Sequence, residues 1–512
     1  MSATLTSQHS LTAAVRGVLR RAVRVYANEP DIVAELRAQL NRLDEPLRVA
    51  IAGKVKAGKS TLLNGLVGEL IAPTDAGECT KVVTWYRDGP TPRVVSYPDS
   101  EYGDDAPRSL PIRRDNGALA VDLHGMPADR LRKLVVDWPS RSLRGTTLID
   151  TPGIASMSGQ YSRRALRMLT PDDDSPAEAD AVVYLMRHLH ATDAEFLESF
   201  RDQGVARASS VNTIAVISRA DEVGGGRIDA MLSARRIARR YRTEPALRGL
   251  CQTVIPVAGL LAATGRTLRQ AEFDTLAMLA AAPRADMDDV LLSTQRFLRS
   301  DRVAALAGLT YERRKDLLER FGIFGLRLAM MYIRQGRGDS PALAAELVHA
   351  SGLHELHDVL SVQFTQRRDL LKARSGLLAT ERVLSSGTHA ADPAEVKALA
   401  AEVERIGSGA HEFVELRLLS ALRCGEVDLP ERESREAQQL LGGNGVAPAH
   451  RLALGADASD GAVRAAALHE LGRWRRRAED PFADRPAVRA YRAVARTCEG
   501  LVDALTPARS RA

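Results

Sequence analysis

The sequence predicts an α/β fold, with a mostly parallel sheet framed by an elongated all-α helical bundle, on three observations. Short apolar runs alternate with helical periodicity between about residues 47 and 260, the pattern of strands joined by crossover helices. Beyond residue 266 the strand signals stop and amphipathic helical spacing takes over. Residues 10–44 carry the same spacing, so helix lies on both sides of the α/β segment.

Taken in order, Leu11, Val15, Val18, Leu19, Ala22 and Val23 recur at helical intervals. Ile32, Val33, Leu36, Leu40 and Leu43 form a second run, with Pro30 at its first turn. Pro46 precedes residues 47–52, a buried-strand pattern that ends in glycine. Residues 81–87 and 93–97 read as strands joined by the turn Asp88-Gly89-Pro90-Thr91-Pro92. Residues 146–149, 181–186, 213–217 and 253–257 are further strands. Residues 266–380 read as helix, with Leu353, Leu356, Val359, Leu360 and Phe364 on one face. Within them Phe321-Gly322-Ile323-Phe324-Gly325 reads as a packed helix junction, with a hinge as the alternative. Residues 385–393 and 442–445 are loops, flanked by helix over 396–423 and 461–505.

Composition narrows the function classes. Hydrophobic residues at 45% and charged residues at 27% fit a folded globular chain. Aromatics at 4% argue against a stacking platform for single-stranded nucleic acid, and a net charge of +6 is small for a dedicated nucleic-acid binder. No nucleic-acid partner is expected. Cys79, Cys251, Cys424 and Cys498 lie far apart without a CxxC pair, which fits a reducing compartment rather than a zinc site or disulfide framework. No secretory signal and no apolar run of membrane-spanning length is read, so a cytoplasmic protein is expected, one that can still lie on a bilayer.

Gly53-Lys54-Val55-Lys56-Ala57-Gly58-Lys59-Ser60 matches G-x-x-x-x-G-K-[ST], after a strand and before the helix that opens at Thr61. Such a glycine turn lets backbone amides wrap phosphates at the positive end of a helix. Lys59 would reach the β- and γ-phosphates, and the Ser60 hydroxyl would ligate Mg²⁺. Asp150-Thr151-Pro152-Gly153 follows the strand 146–149, where Mg²⁺ needs a carboxylate and a γ-phosphate needs a sensing glycine amide. Ser218-Arg219-Ala220-Asp221 follows the strand 213–217, where GTP-binding folds carry N/T-K-x-D. Asp221 would accept two hydrogen bonds from guanine, and Arg219 would stack on the base. Serine in place of Asn or Thr at 218 departs from that pattern. Ala258 and Gly259, after the next strand, stand beside the base. In the polar loop 73–80, Thr80 is the candidate switch threonine for Mg²⁺ and the attacking water, with Thr74 and Thr84 as rivals. Ile154 follows the DTPG motif, so no side chain there orients water by hydrogen bonding.

With these four motifs in order and helices on both sides, the chain resembles the dynamin superfamily, and within it the bacterial dynamin-like proteins of the IniA/IniC family. The stretches AGKVKAGKSTLLNGLVGELIAPTDAGECTKVVTWYRDGPTPRV, IDTPG, SRADEVGGGRIDAMLSA and LLERFGIFGLRLA carry the resemblance. It implies a P-loop GTPase head over 47–300, N-terminal neck helices over 1–46, a helical trunk over 301–445 and C-terminal helices over 446–512 that return to the neck. It also implies GTP/GDP and Mg²⁺ as ligands, self-association through the heads, a sister protein of the IniA type as partner, and peripheral lipid contact at the inner face of the plasma membrane. Lys56 stands where many dynamins carry a serine that helps hold a monovalent cation. Its ammonium either supplies that charge itself, stabilising the developing negative charge, or is a solvated lysine that steers nucleotide. For lipid, residues 385–393 and 442–448 offer little bulky apolar surface, and Phe413, Leu416, Leu418 and Leu419 read as bundle core. The cluster Arg473, Arg475, Arg476 and Arg477 is the basic candidate for anionic lipid, with a solvated neck helix as an equally good account.

Overall fold

The computed structural model describes residues 3–73, 82–99, 106–115, 118–123, 125–153, 178–199, 212–247, 249–307, 309–386 and 392–505. Its centre is a nine-stranded sheet in the order β11-β10-β9-β1-β8-β2-β7-β3-β4. In chain order these are β1 Leu47–Gly53, β2 Thr84–Asp88, β3 Arg93–Pro98, β4 Arg108–Leu110, β7 Leu131–Trp138, β8 Thr146–Asp150, β9 Ala181–Met186, β10 Thr213–Ser218 and β11 Val254–Val257. β5 Ile112–Asp115 and β6 Ala118–Val121 form a separate antiparallel pair.

From β11 to β8 every pairing is parallel. The strands β9, β10 and β11 are buried along their whole length, as expected where helices cover both faces of a sheet. All five therefore end at the same edge, and the loops leaving that edge converge.

The two strands expected on either side of residues 88–92 form and are joined by that segment. They do not pair with one another: β7 lies between them, parallel to β2 and antiparallel to β3. Pro90 and Pro92 lack the amide donors and positive φ that a tight hairpin turn uses. The sequence reading passed over β7 because Arg132 and Lys133 interrupt its apolar run. Lys133 is accommodated with its ammonium 3.7 Å from the centre of the Trp85 ring.

The helices Ala3–Val25 and Pro30–Arg42 form as expected, with Pro30 in the first turn. Val15 and Leu19 press on Gly376 of the helix Arg368–Ser385, where an added Cβ would lie 3.1 Å from Val15 Cγ1. Leu399, Val403, Ile406, Phe413 and Leu416 complete that core. A second helical core gathers Leu418, Leu419, Leu440, Trp474, Tyr491, Val494 and Cys498. One face of the sheet shares its core with Val348, Leu353, Leu356, Phe364 and Leu371.

Both readings of residues 321–325 have a physical counterpart. Phe321 and Phe324 are buried, while Gly322 breaks the helix Tyr311–Arg334 at φ 61 and ψ 174, a conformation reserved for glycine. Residues 442–445 are a loop, packed rather than protruding. The Gly443 carbonyl accepts from Gln363 and Arg423 at 3.0 Å each, and Arg367 donates to the Gly442 carbonyl at 2.9 Å.

Where the N-terminal helices enter the sheet, a buried cluster fixes the linker. Arg42 pairs with Asp180 at 2.8 Å, and Asp180 also accepts the Arg48 amide at 2.9 Å. The Lys372 ammonium donates to the Arg42 carbonyl at 2.8 Å and to the carbonyls of Leu43 and Glu45. Among the described residues no helix is long and apolar enough to cross a membrane.

Candidate functional site

β1 delivers Gly53 to the convergent edge, and the chain turns there into the helix Lys59–Val67. Gly53 has φ 147, and a Cβ on it would lie 2.4 Å from the Leu185 carbonyl oxygen, so only glycine fits. Lys56 and Gly58 both take the left-handed conformation, at φ 62 and φ 91. The loop therefore curls around its own amides. Val55 and Lys56 are exposed on its outer side.

Lys59 folds back inside this curl. Its ammonium donates to the carbonyls of Gly53 at 3.2 Å and Lys54 at 3.3 Å. Burial lowers the Lys59 pKa, opposed by the nearby Asp150 carboxylate. The Ser60 hydroxyl donates to Asp150 Oδ2 at 2.7 Å. Parallel pairing of β1 with β8 sets Asp150 beside Ile51 and so brings the two motifs together. Burial pushes the Asp150 carboxyl up, with Lys59 and Ser60 pulling the other way. Asp150 Oδ1 is shielded from solvent and has no hydrogen-bond partner among the described residues. A buried carboxylate oxygen left open in this way fits a hard divalent cation, and Ser60 supplies a second oxygen.

The DTPG turn packs directly on the glycine loop. Thr151 donates through its hydroxyl to the Ile51 carbonyl at 3.0 Å. A Cβ on Gly153 would lie 2.5 Å from Val55 Cγ2, so the two turns touch backbone to backbone.

Beside them a cavity of about 140 Å³ is lined by Ala57, Gly58, Thr61, Ser218, Arg219, Asp221, Glu222 and Gly259, among others. Asp221 is buried, its Oδ1 has no partner among the described residues, and burial pushes its pKa up to about 6. Arg219 has φ 51, and its guanidinium pairs with Glu222 at 2.8 Å. The Ser218 hydroxyl donates to the Met186 carbonyl at 3.3 Å and so ties β10 to β9. Ala258 is fully buried and donates its amide to the Ser351 carbonyl, leaving Gly259 as the cavity wall on that side.

Of the expected site residues, the structure thus gathers residues 53–61, Asp150, Gly153, Ser218, Arg219, Asp221 and Gly259 at one edge. Thr80, Thr74 and Ile154 lie outside the described residues. Thr84 is a buried strand residue paired opposite Asp150, with its hydroxyl donated to the Val82 carbonyl.

Two residues escaped the sequence reading. Asp193 is buried and accepts from Lys54 at 3.2 Å, from the Tyr184 hydroxyl at 2.7 Å and from the His190 amide at 3.0 Å. It anchors the outer limb of the glycine loop to β9. In sequence it is only an acid in the first turn of a helix, so no local signal marks it. Glu222 receives both Arg187 and Arg219 at the mouth of the cavity.

Comparison with known proteins bears on this geometry. A sequence model of the Dynamin family matches residues 49–219. Over 495 residues the chain is 41% identical to the isoniazid-induced protein IniC of Mycobacterium tuberculosis, spanning 95% of this chain and 97% of that one. It is 33% identical over 162 residues to the isoniazid-induced protein IniA of the same species, covering 30% of this chain and 23% of that one. Among solved structures, an oligomerised bacterial dynamin pair, described as a mechanism for long-range sensing and tethering of membranes, aligns over 84% of this chain and 78% of that one. The identity is 13% and the TM-score 0.32.

Proposed function

Since the chain belongs to the bacterial dynamin-like proteins, in the family of IniC, we propose that it binds Mg²⁺-GTP, hydrolyses it to GDP and phosphate, and couples the cycle to association of its heads and remodelling of the cytoplasmic membrane. The observation that carries this reading is the convergence of Lys59, Ser60 and Asp150 beside a cavity closed by Asp221. Two buried carboxylate oxygens stand open there, one at the cation position and one at the base position.

In this reading Asp221 accepts the paired donors of guanine, which adenine does not offer, while Arg219 and Gly259 flank the ring. Amides of residues 54–59 cradle the phosphates, and Lys59 leaves the Gly53 and Lys54 carbonyls to meet the β- and γ-oxygens. Ser60 and Asp150, with Thr80 as the switch threonine, would hold Mg²⁺, which would neutralise phosphate charge. The Gly153 amide registers the γ-phosphate, and Thr80 positions water. Lys56 takes the left-handed turn of the loop, and its exposed, free-swinging ammonium would fold over the bound phosphates to meet charge developing on the leaving oxygens.

The test is turnover of GTP and of ATP by the full chain over a protein concentration series, in sodium and in potassium. GTP preference, turnover per molecule that rises with concentration, and equal rates in the two salts are expected. Lys59→Ala lowers turnover by at least about a hundredfold, the loss of a charged transition-state contact. ATP preference, or a Lys59→Ala protein that matches its parent, overturns the reading. A strong potassium requirement removes the role of Lys56 alone.

A second reading has one observation behind it: the loop 442–445 is packed under Gln363 and Arg367, so it offers no membrane tip. The chain would then be a GTP-binding partner of a sister protein of the IniA type, with little bilayer contact of its own. Vesicle co-sedimentation with and without GTP separates the two.

A further inference from the structure

The helices Asp460–Ala478 and Arg485–Ala504 form a hairpin whose turn carries Phe482, 96% exposed. No other large apolar side chain among the described residues stands so far out of the fold. The turn holds it there by closed hydrogen bonds. The Phe482 amide donates to Asp480 Oδ1 at 2.9 Å, and the Ala487 amide donates to Asp484 Oδ1 at 2.7 Å. Beneath it Trp474 and Tyr491 pack together with ring centres 5.8 Å apart, so the base of the hairpin is rigid.

The charge around this tip differs from what the sequence suggested. Arg473 pairs with Glu436 and Glu470, Arg475 with Glu499, and Arg477 with Glu433 and Glu436. The basic cluster therefore does structural work, and only Arg476 is left exposed without an ion pair among the described residues. On the returning helix, Arg485, Arg489 and Arg492 fall at i, i+4 and i+7, all exposed and without an ion pair among the described residues. The nearby acids are Glu479, Asp480 and Asp484, and the last two direct an oxygen at turn amides.

We propose that this turn, with Phe482 at its apex and the Arg485, Arg489, Arg492 stripe behind it, docks on an anionic lipid surface. A convex apolar tip backed by guanidinium groups suits the headgroup boundary, where the ring enters the acyl region and the arginines meet phosphates. A nucleic acid strand would need a row of aromatic faces along a groove, and a single phenyl on a convex turn provides none. The inference rests on the membrane-coupled reading above and names the segment that makes the contact.

The experiment is co-sedimentation of the full chain with phosphatidylcholine vesicles containing phosphatidylglycerol, against pure phosphatidylcholine vesicles. Wild type binds the anionic vesicles and not the neutral ones. Phe482→Ser weakens that binding by roughly tenfold, the loss of one inserted aromatic ring. Arg485→Glu/Arg489→Glu/Arg492→Glu abolishes it, and both variants keep vesicle-free GTP turnover within about twofold of wild type. In a Phe482→Trp variant the added indole shifts its emission to the blue on anionic vesicles. Unchanged binding by both variants, equal binding to neutral vesicles, or displacement of the protein from vesicles by a single-stranded oligonucleotide overturns the proposal. Retained vesicle binding in a protein without GTP turnover instead overturns the GTPase reading and leaves the lipid segment standing.

Discussion

In the proposed function, Asp221 concentrates the chemistry of base recognition in one buried carboxyl. Burial lifts it to about 6, well above its ordinary value, so the charged form is disfavoured until a ligand donates to it. The sign of the pH response follows. Between its unfolded value and about 6, the folded ligand-free protein holds a proton that the unfolded chain has lost, so ligand-free stability falls as pH rises through that window. GTP affinity runs the other way, because the base donors need the carboxylate. Affinity is expected to drop about tenfold per pH unit below 6 in calorimetric titrations. Asp221→Asn flattens this profile and weakens GTP binding roughly ten- to a hundredfold, the range for a lost charge-assisted bond. A pH-independent wild type would show that another group reads the base.

At the scale of elements, the exit from the first nucleotide helix hangs on Asn64. Its amide donates to the Ala72 carbonyl at 2.9 Å, and its carbonyl accepts the amides of Ile71 at 3.0 Å and Ala72 at 2.8 Å. These bonds fix the chain at residues 71 and 72. Asn64→Ala leaves the Ala72 amide and carbonyl without partners, while the Ile71 amide keeps the Glu69 carbonyl at 3.1 Å, and is expected to cost about 2 kcal/mol, read as a lower unfolding midpoint. Turnover should fall more than GTP affinity, since the helix itself is intact. Asn64 carries no signal in sequence, because a polar residue inside a helix pattern reads as a solvent-facing position. That the glycine loop, DTPG and Asp221 come together at one edge was legible because each is a residue pattern at a fixed spacing directly after a strand. β7 and Asp193 were not, since a lysine settled on Trp85 and a helix-start acid look ordinary until strands bring their partners near. The arginines at 473–477 hide their pairing for a related reason: most of their acids sit on other helices, Glu433 and Glu436 on Glu431–Leu440 and Glu499 on Arg485–Ala504.

Over the whole molecule, Lys372 ties the helical body to the linker that enters the sheet, beside the apolar core that the two share. This one ammonium gathers the carbonyls of Arg42, Leu43 and Glu45, next to the Arg42–Asp180 pair. Lys372→Met keeps the stem and removes the donors. It is expected to destabilise the chain by about 2–4 kcal/mol and to speed limited proteolysis near residues 43–46, with GTP affinity kept within about twofold. Unaltered cleavage there would place the mechanical link elsewhere. The same long-range architecture shapes how the chain is made. Val15 and Leu19 find their seat on Gly376, some 360 residues downstream. At ordinary elongation rates the first helix waits roughly 20–70 s on the ribosome before its seat is synthesised. Through that interval an amphipathic, apolar-faced segment has only the short helix Pro30–Arg42, chaperones or a neighbouring nascent chain to cover it.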